Sequence, residues 1–150
     1  MKELTIDYAL RATWQAVARM YNEEAKHFDL TMAIGFTLLS IDPKSGTPST
    51  ALGPKMGMEA TSLSRILKSI EEKGYIVRKP NPKDGRGVLI HLTDLGLTKR
   101  ETSKKVVYRF NDVVRDRVSD EKLQNFFEVA ETINKLIADK EVYKKTTTNS

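Results

Sequence analysis

Cysteine is absent from this chain of 150 residues, which excludes disulfides, thiolate catalysis and cysteine-based redox sensing. No apolar run approaches the roughly 18 residues that a membrane span needs. The opening residues MKELTIDYALRA lack the apolar core and small-residue cleavage site of a signal peptide, so the cytoplasm is the expected compartment and no membrane partner is expected. The only two histidines, His27 and His91, lie far apart, read as ordinary surface or interface residues, and belong to no His/Cys/Asp cluster at metal-ligand spacing. No Gly-rich phosphate loop precedes a helix, and no Ser/His/Asp grouping or convergent carboxylate pair stands out. Neither an enzyme nor a metal or cofactor is therefore expected.

What is present reads as an ordinary globular domain, 39% hydrophobic and 30% charged, and long enough to bury a core. The net charge is +5 and unevenly spread. Residues 1–46 carry 5 basic and 6 acidic groups, residues 47–92 carry 8 and 4, and residues 93–150 carry 12 and 10. The middle third holds most of the excess, and a polyanionic partner would meet it there.

From Leu4 to Phe28 the residues Ile6, Leu10, Trp14, Val17, Tyr21 and Ala25 fall at helical spacing with no Gly or Pro between them, which predicts one long amphipathic helix. Thr31 can cap a second helix to about Ile41, and DPKSGTPS reads as a loop. A short helix from Ser49 to Met56 would close on Gly57 in the left-handed conformation. The next helix, about Ala60 to Lys73, would bury Leu63, Ile66, Leu67 and Ile70 and end at Gly74. YIVRK and GVLIHL are strand-like, and the Pro/Gly-rich tip between them predicts a hairpin longer than a two-residue turn. Thr93 caps a further helix in which Gly96 reads as a mild local weakness. Ser119 starts a last helix with Leu123, Phe126, Phe127, Ala130, Ile133 and Ile137 on its apolar face. No repeat and no inter-domain linker is visible.

A helix–turn–helix followed directly by a hairpin predicts a winged helix–turn–helix, mainly α with a small β-hairpin (α+β). Helices outside that core cannot all bury their apolar faces on it, so a twofold homodimer is expected. The expected division is a single winged helix–turn–helix domain over 1–145, with the winged lobe at about 30–92, dimerisation helices at 1–29 and 93–140, and a disordered tail at 146–150.

The stretch from Ala51 to Gly96 resembles the MarR (multiple antibiotic resistance regulator) family of transcription regulators. The match is carried in order and without a gap by Ser64-Arg65, Ile70-Glu71-Glu72-Lys73-Gly74, Asp84-Gly85-Arg86 and Leu92-Thr93-Asp94-Leu95-Gly96. Two residues depart from the family pattern. Pro54 stands where a helix former is usual, and Gly85 stands where a second Arg is common.

The helical period leaves Thr61, Ser62, Ser64, Arg65 and Lys68 on the outer face of the second helix of the motif. Short hydroxyls allow close approach to a groove wall, Arg65 can grip a guanine edge or a phosphate, and Lys68 meets a phosphate. The resemblance implies that Arg86 enters the minor groove from the wing, with Lys79 and Lys83 attracting phosphate. It implies a structural role for Asp84, pairing with an Arg to hold the wing. It further implies a sequence-specific regulator, a repressor more often than an activator, that binds double-stranded DNA as a homodimer at a pseudo-palindromic operator. Relatives often take a small amphipathic or aromatic effector in a cleft beside the long helices. Trp14, Tyr21, Met32 and Phe36 are of the right type to line one, although apolar residues at helical spacing read first as core. The alternative is a winged-helix protein-interaction module, which should present apolar or acidic residues on the outer face instead.

Overall fold

The structure is a computed structural model that describes residues 4–145, so the tail 146–150 lies outside the described residues. The chain forms two compact units divided after Tyr108. In the first, α1 (Ile6–Lys26) and α2 (Met32–Ser40) precede a two-residue strand β1 (Thr47–Pro48). Helices α3 (Ser49–Met56) and α4 (Ala60–Glu72) follow, then strands β2 (Ile76–Asn81) and β3 (Asp84–Leu92). Helix α5 (Asp94–Arg117) starts in this unit and ends in the second, which also holds α6 (Asp120–Ala138).

Local chemistry accounts for most of the boundaries. The Thr31 hydroxyl accepts the Ile34 N–H at 3.1 Å and starts α2, and the Ser119 hydroxyl accepts the Lys122 N–H at 3.3 Å and starts α6. Gly57 closes α3 at φ 63° and Gly74 follows α4 at φ 79°. Pro54 is accommodated in the last turn of α3, where its missing N–H costs one helical bond. The first helix ends on a residue of another kind. Asp29 adopts φ 56°, and the Leu30 N–H reaches back to the Ala25 carbonyl at 3.0 Å.

The core of the first unit lies where α2, α3, α4 and the sheet converge. Leu38, Ile41, Leu52, Ile70, Tyr75, Ile76 and Ile90 are almost wholly buried, while Leu63 and Leu67 turn inward from α4. Burial of each such side chain contributes about 1.5–3 kcal/mol before conformational entropy is charged. Ile66 is only partly buried and packs at the edge of this cluster.

The sheet corrects two expectations. It has three antiparallel strands in the order β1-β3-β2, because Thr47 and Pro48 pair with Ile90 and Leu89 inside the stretch expected to be loop. The hairpin between β2 and β3 has a two-residue turn, Pro82-Lys83, rather than a longer one, and Asn81 pairs with Asp84 across it. The Asn81 side-chain oxygen accepts the Lys83 N–H at 3.0 Å, which tightens the turn. The extra length is taken up within the ladder. Pro80 pairs with Val88, so Gly85, Arg86 and Gly87 bulge out with no partner on β2.

Candidate nucleic-acid interface

Helix α4 sorts its residues as its period dictates. Thr61, Ser62, Ser64, Arg65 and Lys68 are all exposed, on the face opposite Leu63, Leu67 and Ile70. Among the described residues, none of the five commits its side chain to an internal hydrogen bond or ion pair. The N-cap of α4 is Glu59, whose side chain makes no capping hydrogen bond, so the first backbone N–H groups of the helix have no side-chain acceptor there. Such a helix start suits a phosphate.

The wing supplies the second half of the surface. Lys79, Lys83 and Arg86 are exposed, and none has an acidic partner among the described residues. The neighbouring Arg78 differs, since its Nε meets the Glu71 carboxylate at 3.2 Å and its charge is partly neutralised. Asp84 acts by another contact than the expected pairing with an Arg side chain. Its Oδ1 accepts the backbone N–H of Arg86 at 3.1 Å, which holds the bulge that carries Arg86. A Cβ on Gly87 would lie 3.2 Å from the other Asp84 oxygen and 3.3 Å from the Asn81 Cβ, so a side chain there would crowd the brace. Sequence reasoning missed Asn81 and Gly87. The Asn-Pro step was the local signal for the first, whereas the second depends on the cross-strand register.

Gly85 has nothing within 4 Å of an added Cβ, and its φ lies outside the left-handed region. Gly85→Arg is therefore sterically free and places a second guanidinium on the bulge. It is expected to tighten DNA binding several-fold and to steepen the salt dependence by about one counterion, roughly 0.9 in the slope of log K against log salt. Titrations at three salt concentrations would measure this, and an unchanged slope would show that the bulge does not approach phosphate.

Between α1, α2 and α5, a shallow open cleft is lined by Tyr21, Ala25, Phe28, Leu30, Met32 and Phe36, together with Gly35, Leu39, Ser103 and Val106. The Tyr21 and Phe36 rings meet edge to face at 5.8 Å. Burial pushes the Tyr21 hydroxyl above its ordinary pKa. Trp14 does not line this cleft and is 53% exposed. His27 is exposed and His91 is half-buried in β3, and no metal-binding cluster exists among the described residues. Among those residues no helix is long and apolar enough to cross a membrane.

A helix–turn–helix with an uncommitted polar and basic outer face, followed by a braced basic hairpin, defines a winged-helix nucleic-acid-binding protein. A model of the MarR family matches residues 30–88. The transcriptional regulator SarZ of Staphylococcus saprophyticus is 31% identical over 115 residues, covering 73% of this chain and 79% of SarZ. The fold is similar to that of MepR in the S. aureus MepR–DNA complex, with TM-score 0.80 at 20% identity over 89% of this chain and 99% of MepR. It is also similar to the Streptomyces coelicolor PcaV regulator in complex with its natural ligand, with TM-score 0.74 at 19% identity over 90% of this chain and 98% of PcaV. This chain belongs to the MarR family and is a DNA-binding transcription regulator, not an enzyme.

Proposed function

We propose that the protein is a homodimeric repressor that binds a pseudo-palindromic operator. The observation that carries this reading is the outer face of α4, where five exposed polar or basic side chains have no internal partner. Thr61, Ser62, Ser64, Arg65 and Lys68 contact the major groove, while Arg86, flanked by Lys79 and Lys83, enters the adjoining minor groove. Asp84 serves as the brace. The same face argues against a protein-interaction module, which would present apolar or acidic residues there.

The lobe at about 30–92 does the reading, and the helices at 1–29 and 93–140 join two copies. Exposed apolar side chains support that role. Ile6 is 69% exposed and Trp14 53% on α1, and Phe126 is 57% and Ile137 61% exposed on α6. A second copy would bury such surface at about 25 cal/mol per Å². Twofold symmetry sets the recognition helices roughly 34 Å apart, one turn of DNA. Repression follows from occlusion of a promoter in the cytoplasm. A small amphipathic or aromatic effector occupies the cleft around Tyr21, Met32 and Phe36, and shifts the equilibrium by its difference in affinity for the two forms.

Selection from a random DNA pool tests the reading. Inverted half-sites about one turn apart are expected to be enriched, bound by a species of twice 17.0 kDa. A monomer at micromolar concentration, or enrichment of no symmetric site, overturns it.

A further inference from the structure

The corner between α1 and α2 contains an unexpected residue. A helix that closes through the left-handed conformation usually does so with glycine, as at Gly57 and Gly74. Here the position is Asp29, at φ 56°, as Lys140 stands after α6 at φ 55°, and Asp is among the few non-glycine residues that tolerate this region.

That side chain is occupied from two sides. Lys73, the residue that ends α4, brings its Nζ to 3.2 and 3.3 Å from the two Asp29 oxygens. The Tyr75 hydroxyl donates to the Asp29 carbonyl at 3.1 Å and lies 3.2 Å from the Asp29 Oδ2. The Tyr75 ring is fully buried and cannot follow a moving partner freely. Lys99 of α5 donates to the Phe28 carbonyl at 2.5 Å, with its Nζ 5.8 Å from the centre of the Tyr75 ring. From the α1 side, Asn22 accepts the Met32 N–H at 2.9 Å. Hydrogen bonds from Lys73 and then from Tyr75 hold the Asp29 carboxyl below its ordinary pKa, so it stays charged at neutral pH. The other face of this corner is the cleft, whose wall includes Phe28, Leu30, Thr31 and Met32.

We propose that Asp29 is a positioning residue for DNA recognition, a clamp that makes the cleft wall and the end of α4 move as one body. It does not touch DNA. It acts through Lys73 and Tyr75 on the angle at which α4 presents Arg65 and its neighbours. A ligand that displaces the wall from Phe28 to Met32 pulls on the recognition helix through this contact. The inference rests on the reading of α4 as the recognition helix.

Asp29→Gly separates positioning from stability, because glycine suits the backbone at this φ and only the carboxylate contacts to Lys73 and Tyr75 are lost, while the residue-29 carbonyl stays available to the Tyr75 hydroxyl. The variant is expected to unfold at the same urea concentration as the wild type or higher. It should bind the selected operator roughly five- to tenfold more weakly, with an unchanged salt slope since no phosphate contact is removed. Tyr75→Phe, which keeps the ring and deletes the hydroxyl, should weaken binding in the same way. The double variant should lose less than the product of the two, because the contact between the Tyr75 hydroxyl and the Asp29 Oδ2 is broken by either change. Amide exchange should quicken at residues 28–34 in Tyr75→Phe and at residues 70–75 in Asp29→Gly, each across the clamp from the substitution.

If Asp29→Gly does not fold, Tyr75→Phe carries the same measurements. Wild-type affinity in both variants, beside a clear loss in Arg65→Ala, overturns the clamp alone. Wild-type affinity in all three overturns the reading of α4 as the recognition helix, and the clamp's role with it.

Discussion

Gly96→Ala is expected to destabilise the protein by about 3 kcal/mol or more, the reverse of what helix propensity alone would give. In an isolated helix the change should help, because glycine costs about 1 kcal/mol relative to alanine. Here α5 starts directly beneath the root of the wing. The Thr93 N–H donates to the Tyr75 carbonyl at 3.0 Å, and the Thr93 hydroxyl both donates to the Gly74 carbonyl at 2.6 Å and accepts the Gly96 N–H at 3.0 Å. A Cβ on Gly96 would fall inside the van der Waals shell of the Tyr75 carbonyl oxygen, 2.9 Å from its carbon and 3.3 Å from its Cα.

The obstacle is backbone, and Tyr75 cannot yield. Its side chain is buried, its N–H bonds the Ile70 carbonyl at 2.9 Å, and its hydroxyl is held at Asp29. Relief requires α5 to move away from β2, which would break the Thr93 bonds. Urea unfolding reads the result as a lower midpoint at an unchanged slope. Gly85→Ala, with open space around its Cβ, is the control and should leave the midpoint unchanged. Equal stability of Gly96→Ala and the wild type would show that α5 is not pinned to Tyr75.

Gly96 also marks where sequence reasoning reached its range. Features set within one turn or one period were legible. Thr31 and Ser119 cap the helices they were expected to cap, Gly57 and Gly74 take the left-handed conformation, and α4 buries Leu63, Leu67 and Ile70. The exposure of Thr61, Ser62, Ser64, Arg65 and Lys68 followed from the same period. Features set by distant partners were not legible. Gly96 read as a weakness because the carbonyl it faces is 21 residues away in the chain. Thr47 and Pro48 became a strand only because β3 lies beside them, and two residues carry no periodicity of their own. The bulge around Arg86 falls where the register shifts between Pro80 and Asn81 on the facing strand, which only the paired strands together reveal. Asp29 and Lys73 are 44 residues apart, and nothing local in either segment announces the pairing.

Arg65→Ala and Arg86→Ala are each expected to weaken specific operator binding by roughly 1–3 kcal/mol, with the fold intact. Both side chains are exposed and lack an internal partner among the described residues, so truncation leaves no buried group unsatisfied. The two losses should differ in kind. Arg65 rises from a rigid helix whose inner face is core, and its guanidinium can make two bonds to one guanine edge. Its loss should relax the base preference at one position of each half-site. Arg86 sits on a bulge between two glycines, and on the proposed reading it meets a groove whose width depends on sequence, so its loss should flatten the preference for A·T-rich flanks. Lys68→Ala and Lys83→Ala should instead weaken all sequences alike and lower the salt slope by about one each. Arg78→Ala is the internal comparison, since that guanidinium is already engaged by Glu71 and its removal should matter least among the basic groups of the wing. Competition titrations against a mismatched and a flank-substituted operator, at low and moderate salt, separate these outcomes. Unchanged affinity for both Arg65→Ala and Arg86→Ala would remove those residues from the interface. A uniform loss with unaltered base preference would reduce Arg65 to a phosphate contact and shift specificity to the hydroxyls of Thr61, Ser62 and Ser64.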